Sequence, residues 1–148
     1  MKVIGFNRED EALKWAKSRL GLTEDVGFCR VLSAVDFNDS FVLTVVLSNF
    51  VKGNIDMHVA AAPGGQWARP KAIIEMFNSV FHYAFTRHNA DRVTGLVPAD
   101  NLEARRFDEH LGFKLEGLMR KALNGKDLCI YGFLREEFET HPWYRGAV

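Results

Sequence analysis

The sequence predicts an α/β (α+β) fold: a mixed central sheet of about six to seven strands, antiparallel on its N-terminal side, parallel at a central pair, and flanked by helices. Three observations predict it. Short apolar or alternating segments recur along the chain, each bounded by turn residues. The clearest helical periodicity lies between two such segments, Ile55–Ala62 and Arg92–Val97, and a strand–helix–strand order implies a right-handed parallel crossover. No internal repeat and no Pro/Gly/Ser-rich linker divides the 148 residues, which suit one domain over 1–148.

The elements follow in order. Lys2 to Phe6 is a short apolar strand. Asn7 or Asp10 is placed to cap a helix running to about Leu20, with Ala12, Leu13, Ala16 and Leu20 on one face and Gly21 at its exit. Val26–Phe37 is rich in β-formers and ends at Asn38-Asp39-Ser40. Phe41–Val51 is too apolar for a solvent-facing edge, and Lys52-Gly53-Asn54 forms a tight turn. In the next strand Ile55, Met57 and Val59 alternate with Asp56, His58 and Ala60. These three strands read as an antiparallel meander.

Pro63-Gly64-Gly65 breaks the pattern. Ile73, Ile74, Phe77, Val80, Phe81, Ala84 and Phe85 then recur at helical spacing from Pro70 to about Arg87. Pro70 suits the first helical turn, where a missing N–H is no loss. Arg92–Val97 is a strand. Asp100 or Asn101 can cap a helix through His110, and Gly112 allows its left-handed exit. Phe113–Leu123 and Lys126–Leu134 are strands joined by Asn124-Gly125, a strong hairpin signal. The tail from Glu136 is mixed, with Trp143 and Tyr144 able to pack back.

Hydrophobic residues make up 47% of the chain, and 12 phenylalanines supply bulky core filling. Lys+Arg and Asp+Glu balance at 19 each, so no overall field draws the chain to nucleic acid or to an acidic membrane. Cys29 and Cys129 read as free thiols in apolar strands. The charged start MKVIGFNRED is no signal peptide, and no run reaches the length of a membrane span. The expectation is a cytoplasmic protein. No zinc, P-loop or G-x-S-x-G pattern occurs, and His82, His88, His110 and His141 have no metal-ligand spacing, so no metal is expected.

The C-terminal third carries a series of spaced motifs. The strand Arg92–Val97 precedes Asn101-Leu102-Glu103-Ala104, then Leu111-Gly112-Phe113, Glu116-Gly117, Arg120, and Asp127 through Tyr131-Gly132. Together with the element order, this series resembles the GNAT superfamily of acetyl-CoA-dependent N-acetyltransferases. The likeness is greatest to the branch that acetylates protein N-termini and polyamines and to short GNAT-like proteins of phages. It covers about residues 40 to 135 well and the N-terminus only by element order.

The resemblance implies a cofactor site. GNAT proteins hold the CoA pyrophosphate on backbone N–H groups ahead of the central helix, where a helix N-terminus favours anions. The matching segment here is Gln66-Trp67-Ala68-Arg69 followed by Pro70 and Lys71. Arg69 and Lys71 stand where the family has small residues, and both can make charge-assisted phosphate contacts. Trp67 either shields the pyrophosphate or packs on the helix. Asn101 and Ala104 would lie beside the pantetheine arm, although an asparagine there is also a plain helix cap. Arg105 or Arg106 is a candidate for the 3′-phosphate, with solvated helix arginines as the plainer reading.

The resemblance also implies a backbone N–H within Val59, Ala60 and Ala61 that polarises the thioester carbonyl. Asp56 and His58 share one strand face. His58 is the candidate base because its intrinsic pKa lies near neutrality; the plainer reading is a strand histidine bonded to a neighbour. Asp56 is a second candidate. The family's tyrosine is expected at Phe107, which cannot donate a proton, and the serine of the N-terminal-amine branch at Ala104. Tyr131 is then a candidate lining residue of the acceptor site, with a sheet tyrosine as the structural alternative, and Glu116 is similarly ambiguous.

The implied function is transfer of an acetyl group from acetyl-CoA to a primary amine, on a protein N-terminus, a lysine or a small molecule. The alternative is a non-catalytic GNAT-like structural or interaction protein, favoured by Phe107, Ala104 and the altered phosphate loop. The expected partners are acetyl-CoA and the amine, with a possible homodimer to which Trp143 contributes.

Overall fold

A computed structural model describes residues 1–23, 25–64 and 70–146. The elements are β1 (Lys2–Gly5), α1 (Glu9–Leu20), β2 (Cys29–Val35), β3 (Phe41–Val51), β4 (Asn54–Ala61), α2 (Pro70–Phe81), β5 (Arg92–Pro98), α3 (Leu102–Leu111), β6 (Lys114–Leu123), β7 (Lys126–Leu134) and α4 (Arg135–Glu139). A π-helical stretch, His82–Arg87, prolongs α2. One sheet holds seven strands in the order β1-β2-β3-β4-β5-β7-β6. β4 and β5 are parallel, and every other neighbouring pair is antiparallel. The expected mixed sheet, with its N-terminal meander and central parallel pair, is the observed one.

The two faces of the sheet carry different side chains because successive residues of a strand point to opposite sides. Leu32, Val45, Leu47, Ile55 and Met57 face α2 and α3 in the main core. Phe81 and Phe133 meet edge-on with centroids 4.9 Å apart, and Phe113 stacks on Phe133 at 5.1 Å. The alternate residues Val31, Val46 and Ala60 face α1, whose Ala12 and Ala16 have no exposed surface. Two alanines on one helical face let α1 lie close to the strands. Glu9 ties its start down by accepting the Val31 N–H at 2.8 Å and pairing with Arg30 at 3.1 Å.

Two local expectations change. Neither Asn7 nor Asp10 caps α1: the cap position is Arg8, at φ 63°, and the Asn7 amide instead donates to the Ile4 carbonyl at 2.8 Å. The helix from Pro70 does extend to Arg87, but its last six residues have π geometry. As expected, Trp143 packs back, edge-on to Phe77 at 5.5 Å, with its carbonyl held by the Asn78 amide. Gly21 and Gly112 do occupy left-handed helix exits, at φ 67° and 103°. Among the described residues no helix is long and apolar enough to cross a membrane.

Candidate active site

The parallel pairing of β4 and β5 is short. It begins at Asn54 with Arg92 and ends at Met57 with Gly95. Beyond that point β4 continues along β3 to Ala61, while β5 continues along β7 to Pro98. The strands part and leave a slot.

Strand alternation fixes which backbone groups face it. The Ala62 N–H donates to the Val42 carbonyl on β3 at 2.9 Å. Residues 58 and 60 therefore also turn their backbone groups to β3, and Val59 and Ala61 turn theirs to the slot. In the β4–β5 register, the next ladder bonds would join the Val59 N–H to the Leu96 carbonyl and an N–H of residue 98 to the Val59 carbonyl. Residue 98 is proline and has no N–H to give. The second of these bonds therefore has no donor. The Ala61 carbonyl finds a substitute in the Arg19 guanidinium of α1, 2.8 Å away.

The slot opens into a cavity of about 310 Å³. His58, Val59, Ala60 and Ala61 form one wall, Leu96 to Pro98 the other, and Asn101, Ala104, Phe107 and Asp108 of α3 close one side; Arg19 and Leu20 reach it from α1. The volume lies within the range of small-molecule sites, and the wall mixes apolar surface with a slot-facing N–H at Val59. These residues fit an acyl-pantetheine arm: a channel of mixed polar and apolar lining with a donor for a carbonyl.

His58 lines this cavity. Burial holds its pKa below the usual histidine value, and the nearby Asp56 charge only partly offsets that. The imidazole is thus neutral at pH 7 and can accept a proton. Asp56 is on the same face but does not line the cavity; its carboxylate accepts the Asn49 and Asn54 amides, each at 3.0 Å. Its contribution is charge, not contact. Asn101 caps α3 by accepting the Ala104 N–H at 3.1 Å, and both residues line the cavity. The cap and the proposed cofactor contact are compatible.

Other expected residues are not brought together. Tyr131 is fully buried and does not line the cavity. Its hydroxyl donates to Glu109 and accepts from Arg105. Arg105 makes that contact and a second bond, to the Ala99 carbonyl at 3.1 Å. Glu116 pairs with Arg92 at 2.8 Å, and the pair lies over Gly132. Lys71 is exposed in the first turn of α2. Gln66, Trp67, Ala68 and Arg69 lie outside the described residues. No group of His, Cys, Asp and Glu suited to a metal ion occurs among the described residues.

Asp108 is the residue that sequence reasoning missed. It is 4% exposed yet lines the cavity. Burial, assisted by the charge of Glu109, raises its pKa from 3.8 to about 7. The signal was present: Ala104, Phe107, Asp108 and Leu111 form one helical stripe, and an acid in an apolar stripe is out of place unless it does something there.

No family model matches the chain, and no curated protein matches it. Solved structures do. A GNAT-family acetyltransferase from Bacillus anthracis is 16% identical, with 72% of this chain and 67% of that chain covered, at a TM-score of 0.58. A spermidine/spermine N-acetyltransferase SpeG from Vibrio cholerae is 19% identical over 90% of this chain and 78% of that one, at a TM-score of 0.60. A dodecameric spermidine N-acetyltransferase from the same organism, in an intermediate state, is 20% identical with the same coverage, at a TM-score of 0.62. Read with the parted central strands, these likenesses establish that the chain has the GNAT fold.

Proposed function

We propose that the chain transfers an acetyl group from acetyl-CoA to a primary amine by direct attack within the β4–β5 slot. One observation carries the reading: β4 and β5 separate after Met57 and Gly95, leaving the Val59 N–H aimed into a cavity that also holds His58. In this reading the Val59 N–H donates to the thioester oxygen as negative charge grows on it. Ala60 and Ala61 give the arm a wall without bulk, and Asn101 and Ala104 hold its other side. His58, neutral at pH 7, takes the proton that the amine loses on attack. The segment from Gln66 to Lys71 receives the pyrophosphate at the head of α2.

The acceptor class is a primary amine: a protein N-terminus, a lysine or a small amine. Two of the structural neighbours act on spermidine, so polyamines belong in the panel. The test is release of free CoA, followed with a thiol reagent, in the presence of acetyl-CoA and spermidine, lysine or a short peptide with a free N-terminus. Release that depends on one of these amines supports the reading. Binding of acetyl-CoA without release under any of them favours a non-catalytic module.

A further inference from the structure

We propose that Asp108 protonates the departing CoA thiolate, so that the slot has two proton-handling poles, His58 on its α1 face and Asp108 on its α3 face. The proposal rests on the acetyl-transfer reading and adds to it the proton donor that neither Phe107 nor Tyr131 provides.

The geometry singles out this carboxyl. Asp108 projects from α3 against Gly95, the last residue of β5 that still pairs with β4. Its Oδ2 sits so near that a Cβ on residue 95 would be 2.9 Å away. Only glycine leaves that space. The carboxyl therefore stands where the slot closes, beside the point at which the two strands part. It makes no hydrogen bond to another side chain among the described residues, in contrast to Asp56, Glu109 and Glu116, which are all engaged. A carboxyl of a buried residue that opens onto a cavity is set to meet something that enters the cavity.

The charge state suits a donor. The titratable groups around Asp108 are Glu109 and Glu103 on its own helix, Tyr131 of β7, His58 of β4 and Arg19 of α1. Burial dominates and Glu109 adds to it, so the carboxyl keeps its proton to about pH 7.

The step balances. The amine lone pair forms the new C–N bond, and the N–H proton passes to His58. The C–S bond breaks with its electron pair on sulfur, and sulfur receives the Asp108 proton. The products are the acetamide and free CoA thiol. The His58 imidazolium then loses its proton to solvent, and the Asp108 carboxylate regains one.

The test compares the full chain with Asp108→Asn, and with Asp108→Ser should the asparagine variant fold poorly. The ratio of wild-type to variant kcat/KM is measured from pH 5.5 to 9, because a ratio cancels titration of the amine itself. We expect a ratio of about 10²-fold at pH 6, falling towards one above pH 8. Melting without acetyl-CoA supplies a readout independent of turnover: the gain in Tm of the variant relative to wild type is larger at pH 8 than at pH 5. A ratio near one at every pH, or a large ratio that does not change with pH, overturns the role of Asp108. So does a Tm difference that does not depend on pH. In those cases, wild-type binding and turnover of acetyl-CoA keep the acetyl-transfer reading intact; a wild type that neither binds acetyl-CoA nor releases CoA removes both.

Discussion

The Asp108 carboxylate occupies the space that a side chain at Gly95 would fill. A methyl group there would stand 2.9 Å from Oδ2, whereas its next neighbours, Phe113 and Tyr131 at 3.8 Å, would be in ordinary contact. In Gly95→Ala the carboxyl must swing aside while the rest of the pocket stays. Alanine also recovers about 0.5–1 kcal/mol of the entropy cost of a strand glycine. We expect Tm within a few degrees of wild type and a turnover loss of about 10²-fold, as for a catalytic group displaced by about 1 Å. Steady-state kinetics and a thermal melt on the same preparation check both.

The same carboxyl sets a pH dependence of stability. Its pKa is 3.8 when unperturbed and about 7 in the folded protein. Between those values the folded state holds a proton that the unfolded chain has released, so the contribution is full below about pH 4 and is lost as pH rises through about 7. At about 1.4 kcal/mol per pKa unit, the loss approaches about 4 kcal/mol. Urea unfolding of wild type and Asp108→Asn at pH 5 and pH 8 isolates it: the wild-type midpoint should fall relative to the variant at pH 8.

His58→Ala should lower CoA release by about 10²-fold, the usual scale for a positioned base, and leave the shift of Tm by acetyl-CoA in place. Because burial lowers the His58 pKa, wild-type activity should persist below pH 6.5 before protonation ends it. Activity of the alanine variant equal to wild type would remove His58 from the reaction.

Pro98 withholds one donor from the β4–β5 ladder. Pro98→Ala restores an N–H opposite the Val59 carbonyl and permits one more ladder bond. Such a bond is worth about 1 kcal/mol net, and an incoming pantetheine arm would have to break it. Acetyl-CoA should bind about fivefold more weakly to the variant, as read by calorimetric titration.

Much of this was legible in the sequence, and the misses are instructive. Glycine at 21 and 112 and Asn124-Gly125 mark backbone states that few other residues adopt, so those turns were readable. The effect of Pro98 depends on which side of β5 its N–H would face, and only the register supplies that. Tyr131 is a candidate by its place in a family motif and Arg105 by its charge; that the two bond to each other depends on the packing of α3 against β7, which the sequence does not show. Arg8 caps α1 from a left-handed conformation that its type does not announce. Asp108 was hidden by the opposite bias: an acid on a helix is ordinarily solvated, and its burial against Gly95 is a tertiary fact.

Thermal unfolding of the wild-type chain with and without acetyl-CoA tests the slot most directly. At 100 times the dissociation constant, binding to the folded state should add about 2.7 kcal/mol and raise Tm by several degrees. No rise at millimolar acetyl-CoA would mean that the gap between β4 and β5 does not receive the thioester arm.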